Sequence, residues 1–381
     1  ARSPADLAAA VAAAFRAGAS AAAAAVAGDK NADYFNGHGM TKRKIGIIGL
    51  GLIGGSLALA LNDAYDVIGY DKDERTREAA RKLNIDVSER CEMGGARIIF
   101  SCVPVFAMKT TLDMLTGKYP NAVVTDVASV KSPFSATGGR YVGGHPMAGT
   151  EKGGIAAARP HLFENAYWVI TGKGRDAELV ADTVGGIGAK PVFMSAEEHD
   201  RSVAAFSHAP HAVAYALVAS AVKDGASPIA GSGFIDTTRI AKSDGGFWSE
   251  IFALNRDNVL GALAEFRAEL DAVSGMIERG ETDKLKAYLD RARIKRAALD
   301  RSDLGGAELY VDLVDRVGEF ERVTGVIARA GINLANIALV PAREGAGGAL
   351  RLEFGSEADR ERAAAALGSD ADGEIDRRRN G

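Results

Sequence analysis

An α/β fold, with a doubly wound parallel sheet followed by an all-helical domain and a small ferredoxin-like module, is what the sequence predicts. Three observations predict it. A short β-branched run, Ile45–Ile48, ends in the glycine-rich turn Gly49-Leu50-Gly51-Leu52-Ile53-Gly54 and leads into the helical stretch Ser56–Leu61. From Lys44 onward strand-like and helix-like segments alternate. Near the C-terminus, Leu309, Val311 and Leu313 alternate with Glu308, Tyr310 and Asp312, the period of a half-buried strand.

Taken in order, residues 1–39 stand apart. Ala5–Ala27 is almost all alanine, and Met40 followed by Thr-Lys-Arg-Lys has the look of a natural start. Alanine favours helix, but Leu7, Val11, Phe15 and Val26 are too few to dock one firmly. Residues 1–39 are therefore read as an extension outside the core fold, and Asp6, Asp29 and Asp33 argue against a transit peptide. A nucleotide-binding domain is expected over 40–196, with strands at 44–49, 66–70, 97–103, 122–127, 141–145, 167–171 and 191–194 and helices at 54–62, 73–83 and 105–116. Residues 197–301 read as a helical domain. They comprise a pattern over 197–222 broken by Pro210, then 247–279 and 282–299. After a linker at Ser302–Gly306, residues 307–381 give β-α-β-β-α, with only Glu374–Asp376 left for a final strand.

The turn at Gly49–Gly54 is a G-x-G-x-x-G placed between a strand and a helix, as in a Rossmann unit. Gly49 allows the tight turn, Gly51 lets a pyrophosphate approach the backbone, and Gly54 lets helix and strand pack closely. Leu50, Leu52 and Ile53 complete the loop, and the N–H groups at the helix start suit phosphate. The second strand ends at Asp71, 22 residues beyond Gly49, where a carboxylate binds the adenosine ribose hydroxyls. Asp71 would repel a 2′-phosphate, so NAD is expected over NADP, with Arg75 nearby as the one opposing feature. Val103 and Pro104, after the third strand, are placed in the same nucleotide site.

Composition narrows the classes. A length of 381 residues implies two or three domains, and a net charge of −4 with both signs dispersed points away from nucleic acid and from acidic membrane surfaces. No stretch has spanning character. The two cysteines, Cys91 and Cys102, form no disulfide framework, which fits a cytoplasmic protein.

Four further motifs carry chemistry. They are Asp126-Val-Ala-Ser129-Val-Lys131, His145-Pro-Met-Ala-Gly-Thr-Glu151, Ser207-His208-Ala-Pro210-His211, and Thr238-Arg239-Ile-Ala-Lys242-Ser-Asp244 with Trp248 beyond. Each residue also has a plain structural reading. His145 could end a strand, Ser129 could cap a helix, Arg239 and Lys242 could form surface ion pairs, and Trp248 could be helix-packing core. His199, His208 and His211 together raise the question of a metal, but no cysteine or suitably spaced carboxylate accompanies them, so none is expected.

Together and in this order, the motifs resemble the prephenate dehydrogenase family from about Lys44 to Leu299, and the C-terminal module resembles an ACT domain. The resemblance implies NAD-dependent oxidative decarboxylation of prephenate to 4-hydroxyphenylpyruvate, in tyrosine biosynthesis. It implies His145 as the catalytic base and Ser129 as the serine that hydrogen-bonds and orients it near the nicotinamide. Arg239 matches the arginine that holds a substrate carboxylate, His211 the histidine at the substrate side chain, and Glu151 and Trp248 residues at the pocket edge. No metal is required, because aromatisation drives the loss of CO2. The helical domain is implied to form a homodimer, and the ACT-like module to bind tyrosine as a feedback inhibitor through Gly318 and Asn333. Val317 stands where the ACT pattern usually has proline. The competing readings are arogenate dehydrogenase, a β-hydroxyacid dehydrogenase with a lysine base on its helical domain, and a non-catalytic amino-acid sensor.

Overall fold

The computed structural model describes residues 42–149, 153–223, 225, 229–302, 307–313, 316–340 and 349–368. The expectations for residues 1–39, Glu151 and the strand at Glu374–Asp376 lie outside the described residues. The chain divides into two compact units, residues 1–269 and 270–381.

The first unit begins with β1 (Lys44–Ile48), α1 (Leu52–Leu61), β2 (Asp66–Tyr70), α2 (Glu74–Lys82), β3 (Ile98–Ser101), α3 (Val105–Lys118) and β4 (Val123–Asp126). It continues through β5 (Tyr141–Pro146), β6 (Tyr167–Thr171), α4 (Arg175–Gly185) and β7 (Lys190–Phe193). Among the described residues these strands form one seven-stranded sheet in the order β2-β1-β3-β4-β5-β6-β7. The order reverses at β1, so the glycine turn leaves the sheet at its topological switch point, where α/β folds bind ligands.

Pairing is parallel from β2 to β5, as expected. It then departs from a wholly parallel sheet. β6 lies antiparallel to β5, with His145 opposite Val169, and β7 runs parallel to β6. Among its described residues the segment between β5 and β6 carries a short 3-10 turn, Ile155–Ala157, and no crossover α-helix, which an antiparallel connection does not need.

The strands read as unbroken apolar runs because both faces are covered. Ile98 and Phe100 enter one core with Ile47, Leu57 and Val180, whereas Ile99 enters the other with Met108, Leu112 and Val124. Trp248 and Ile251 close the second core.

Next come α5 (Ala196–Val203), a π-helical turn at Ala204–His208, α6 (Ala209–Ala221), α7 (Ser232–Thr238), a 3-10 turn at Arg239–Lys242, α8 (Gly245–Leu254) and α9 (Arg256–Glu278). Pro210 breaks the first pattern as anticipated. It lacks an N–H, its ring crowds the carbonyl four residues back, and the wider π turn makes room for it. The expected helix over 247–279 is two helices, ended and restarted at the buried Asn255.

The second unit contains α10 (Thr282–Ser302), β8 (Ala307–Asp312), α11 (Glu319–Arg329), β9 (Asn336–Val340), β10 (Ala349–Phe354) and α12 (Glu357–Gly368). β10 lies between β8 and β9, antiparallel to both, so Leu352 faces Leu309 on one side and Ile337 on the other. Leu309, Val311 and Leu313 are buried with Val323, Ile327, Leu350 and Phe354, which realises the period-two pattern. Among the described residues no helix is long and apolar enough to cross a membrane.

Candidate active site

The described site residues of the first unit gather where strands β1 to β5 end and around α5 to α8. At the end of β1, Gly49 takes φ +90°, and a Cβ there would lie 2.6 Å from the Cys102 carbonyl oxygen. A Cβ at Gly54 would lie 1.8 Å from the Gly49 carbonyl oxygen, so only glycine lets α1 start this close to the strand. A Cβ at Gly51 would meet nothing within 4 Å, which leaves the backbone open to a ligand. No side chain caps α1. Leu50 N donates to Asp71 Oδ2 (2.8 Å) and Asp73 N donates to Asp71 Oδ1 (2.9 Å). The Asp71 carboxylate is thereby fixed beside the glycine turn, with lone pairs remaining for ribose hydroxyls. Arg75 is exposed; Arg77, not anticipated, donates from Nη1 to the Asp71 carbonyl oxygen (2.9 Å). These residues fit a dinucleotide whose pyrophosphate lies over Gly51, with Val103 and Pro104 at the end of the adjacent strand.

His145 is the fifth residue of β5 and half-buried. A buried ion pair fastens its strand: Lys131 Nζ contacts Asp126 Oδ2 and donates to the Gly144 carbonyl oxygen (2.6 Å). Asp126 also accepts from Gly144 N (3.0 Å), Tyr141 OH (2.9 Å) and Ala128 N (3.1 Å). A Cβ at Gly144 would lie 2.6 Å from the Asp126 carbonyl oxygen, so the strand can approach this knot only through glycine.

The imidazole of His145 meets a partner that the sequence did not indicate. Its Nδ1 lies 2.8 Å from His199 Nε2, and His199 Nδ1 lies 2.8 Å from Asp200 Oδ1. Asp200 also accepts from Lys131 N (2.7 Å) and Ser132 N (2.8 Å). A capping box starts α5 and sets this geometry. Glu198 N donates to Ser195 Oγ (3.1 Å), and Ser195 N donates to Glu198 Oε2 (3.0 Å). Ser129 was expected to orient His145. Among the described residues no hydrogen bond joins Ser129 to it, and the contact at Nδ1 is made by His199.

Burial pushes the His145 pKa well below its ordinary value, and His199, Lys131 and His208 add to the effect. Burial also lowers His199, against the pull of Asp200, and brings His208 down to about 4. Burial alone would raise the Asp200 carboxyl, but hydrogen bonds from His199, Ser132 and Lys131 outweigh it and hold the group below the usual range.

His211, on α6, donates from Nδ1 to the Ser207 carbonyl oxygen (2.9 Å), since a carbonyl can only accept. Its ring stacks on Trp248, with centroids 3.5 Å apart and planes 23° apart. Trp248 is thus buried core and the platform of His211 at once. His208 turns inward, and Asn255 Nδ2 donates both to its Nδ1 (3.1 Å) and to the Asp200 carbonyl oxygen (2.7 Å). Arg239 is exposed at the end of α7 and close enough to lower the His211 pKa, after the larger effect of burial. Among the described residues no carboxylate pairs with it, and no group of three or more His, Cys, Asp or Glu could hold a metal.

Comparison with known proteins covers nearly all of this architecture. The family model described as "Prephenate dehydrogenase, nucleotide-binding domain" matches residues 57–192, "Prephenate dehydrogenase, dimerization domain" matches 195–291, and "ACT domain" matches 307–372. The chain is 34% identical to the prephenate dehydrogenase of Bacillus subtilis (strain 168), across 84% of this chain and 95% of that one. It is similar to the crystal structure of prephenate dehydrogenase from A. aeolicus in complex with hydroxyphenyl propionate and NAD+, at 30% identity and a TM-score of 0.64, covering 69% of this chain and all (100%) of that one. It is also similar to Synechocystis arogenate dehydrogenase, at 31% identity and a TM-score of 0.61, covering 67% of this chain and 99% of that one.

Proposed function

The chain belongs to the prephenate dehydrogenase family, and from that premise we propose that His145 is the base in its oxidation of prephenate. The protein is an NAD-dependent oxidoreductase, and the reaction is the oxidative decarboxylation of prephenate to 4-hydroxyphenylpyruvate. Gly49–Gly54, Asp71, Val103 and Pro104 would hold the NAD, which when bound supplies the hydride acceptor. The observation that carries the role of His145 is its place. A neutral imidazole lies one residue before the end of β5, at the same sheet edge as the glycine turn, with one nitrogen already partnered. The other, Nε2, takes the proton of the ring hydroxyl as hydride leaves its carbon. CO2 departs from the ring carboxylate, its bonding electrons complete the aromatic ring, and the borrowed proton returns to the phenolate oxygen.

Arg239 holds a substrate carboxylate, as its planar guanidinium suits, and His211 on its Trp248 platform meets the substrate side chain. Ser129 lines the nicotinamide side, and Glu151 belongs to the pocket rim. The domain assignment is 40–196 for the nucleotide, 197–301 for substrate and a homodimer contact, and 307–381 for regulation by tyrosine through Gly318 and Asn333. A cytoplasmic location is part of the same reading, supported by the two unpaired cysteines.

One observation favours a second substrate. Because Nδ1 of His211 donates to Ser207, the neutral ring offers Nε2 as an acceptor. That atom suits the ammonium of arogenate, whereas the keto oxygen of prephenate needs the protonated ring. NADH formation from prephenate and from arogenate, with NAD and NADP in turn, tests both readings. Turnover of prephenate with NAD is expected, with the arogenate-to-prephenate ratio rising with pH. A chain that reduces NAD with neither substrate would overturn the assignment.

A further inference from the structure

We propose, resting on His145 as the base, that His199 and Asp200 are positioning residues that fix its tautomer and turn Nε2 toward the substrate. Asp200 accepts hydrogen bonds from two backbone N–H groups, Lys131 and Ser132, which an ionised carboxylate does best. The Ser132 side chain adds a further hydrogen bond to it. Asp200 Oδ1 also meets His199 Nδ1, and an ionised carboxylate can only accept, so that nitrogen carries the proton. The neutral His199 then presents a lone pair at Nε2. Facing it at 2.8 Å is His145 Nδ1, which must be the N–H of that pair. By exclusion the lone pair of His145 sits on Nε2, the nitrogen pointing away from the relay. The carboxylate thus dictates, through two imidazoles, which nitrogen of His145 is basic, and it stabilises the positive charge that His145 acquires on taking a proton.

The surroundings hold the relay in this state. Asp126 is engaged by Lys131 Nζ, so its carboxylate does not replace Asp200 beside the rings. Tyr141 bonds Asp126, and Asn255 occupies the Asp200 carbonyl and the Nδ1 of His208, which keeps His208 out of the chain of proton donors. Among the described residues, His208, Lys131, Asp126, Tyr141 and Asp200 are therefore the titratable groups around the two imidazoles, and apart from the rings themselves Asp200 is the one of them that bonds to either ring. A buried carboxylate that aligns a catalytic histidine can matter by about 10⁴-fold elsewhere. Here one more ring intervenes, so a smaller effect, about 10- to 10³-fold, is expected.

The test combines kinetics with a direct view of the tautomers. In the full-length chain, Asp200→Asn is expected to lower kcat with prephenate and NAD, to move the acid limb of kcat/KM to lower pH, and to leave the KM for NAD within about twofold. His199→Gln keeps an acceptor at the ε position, so it should retain at least about tenfold more kcat than His199→Leu. A merely structural role would lower kcat without moving the limb, and Gln and Leu would behave alike. Nitrogen-15 NMR of the unsubstituted chain at pH 8, with His145 assigned by its loss in His145→Asn, should show both His145 and His199 as Nδ1–H tautomers. An Nε2–H tautomer at His145, or Asp200→Asn and His199→Leu with the parent's kcat and acid limb, overturns the relay. If that occurs while His145→Asn is inactive, the base assignment stands; if His145→Asn is as active as the parent, the base assignment fails instead.

Discussion

At the scale of single residues, the proposed site holds imidazoles whose proton affinity burial lowers. His145, His199 and His208 all have pKa values below the ordinary 6.5, His208 at about 4. In each case the unfolded chain binds a proton more readily than the folded one. The stability this gives is present above pH 6.5 and is lost as pH falls through the folded values. For His208 alone the loss spans about pH 6.5 to 4 and reaches about 3 kcal/mol. Urea midpoints should therefore drop between pH 7.5 and 5, and His208→Gln should flatten that dependence; an unchanged slope in the variant contradicts the cause given. Arg239 makes a separate prediction. If Arg239 clamps a substrate carboxylate as proposed, its removal costs about 2–5 kcal/mol, so Arg239→Ala should raise the KM for prephenate at least tens-fold, with Arg239→Lys recovering only part. Steady-state kinetics decides, and an unchanged KM removes Arg239 from the site. Arg239 and His145 stood out as candidates in the sequence because each sits in a short motif. His199 and Asp200 were not. Their meaning depends on α5 reaching β5 across 54 residues of sequence, and neither side chain is distinctive in its own surroundings.

At the scale of elements, the β1–turn–α1 unit separates two roles of glycine. A Cβ at Gly54 would collide with backbone 1.8 Å away, whereas one at Gly51 would enter open space. Gly54→Ala is thus expected to lower Tm whether or not NAD is present. Gly51→Ala should keep the parent Tm and raise the KM for NAD about tenfold or more, because the added methyl stands where the pyrophosphate lies. Thermal melts beside NAD titrations check this, and a Gly51→Ala chain with normal NAD affinity contradicts the cradle. This unit could be read from sequence because its signals are local: a β-branched run, three glycines and a carboxylate at a set distance. Strand direction is not local. Nothing in Tyr167–Thr171 tells that β6 runs against β5, since the alternation of side chains is the same either way. The π turn was legible only as a disturbance at Pro210, and the restart at Asn255 not at all, because the asparagine is held by partners from two other helices.

At the scale of the whole molecule, the segment matched by the ACT model, 307–372, lies within the second compact unit, and the proposed regulation is tested by removing it. α11 begins at Gly318, which takes φ +95°, with the exposed Val317 before it and the exposed Asn333 before β9. If tyrosine acts there, it must distinguish two states of the protein by a coupling of about 1–3 kcal/mol. A chain ending near Leu304, and Gly318→Asp in the full chain, should both lose tyrosine inhibition while still turning over prephenate. Equal inhibition of all three forms would mean competition at Arg239 instead. The order of the modules was readable from periodicity. The placement of the base against its partners was not, and there the account is most exposed. The most direct measurement is kcat of full-length His145→Asn with prephenate and saturating NAD. Loss of a general base predicts a fall of about 10²–10⁴-fold with the KM for NAD unchanged, and a kcat near that of the parent would contradict the assignment of His145.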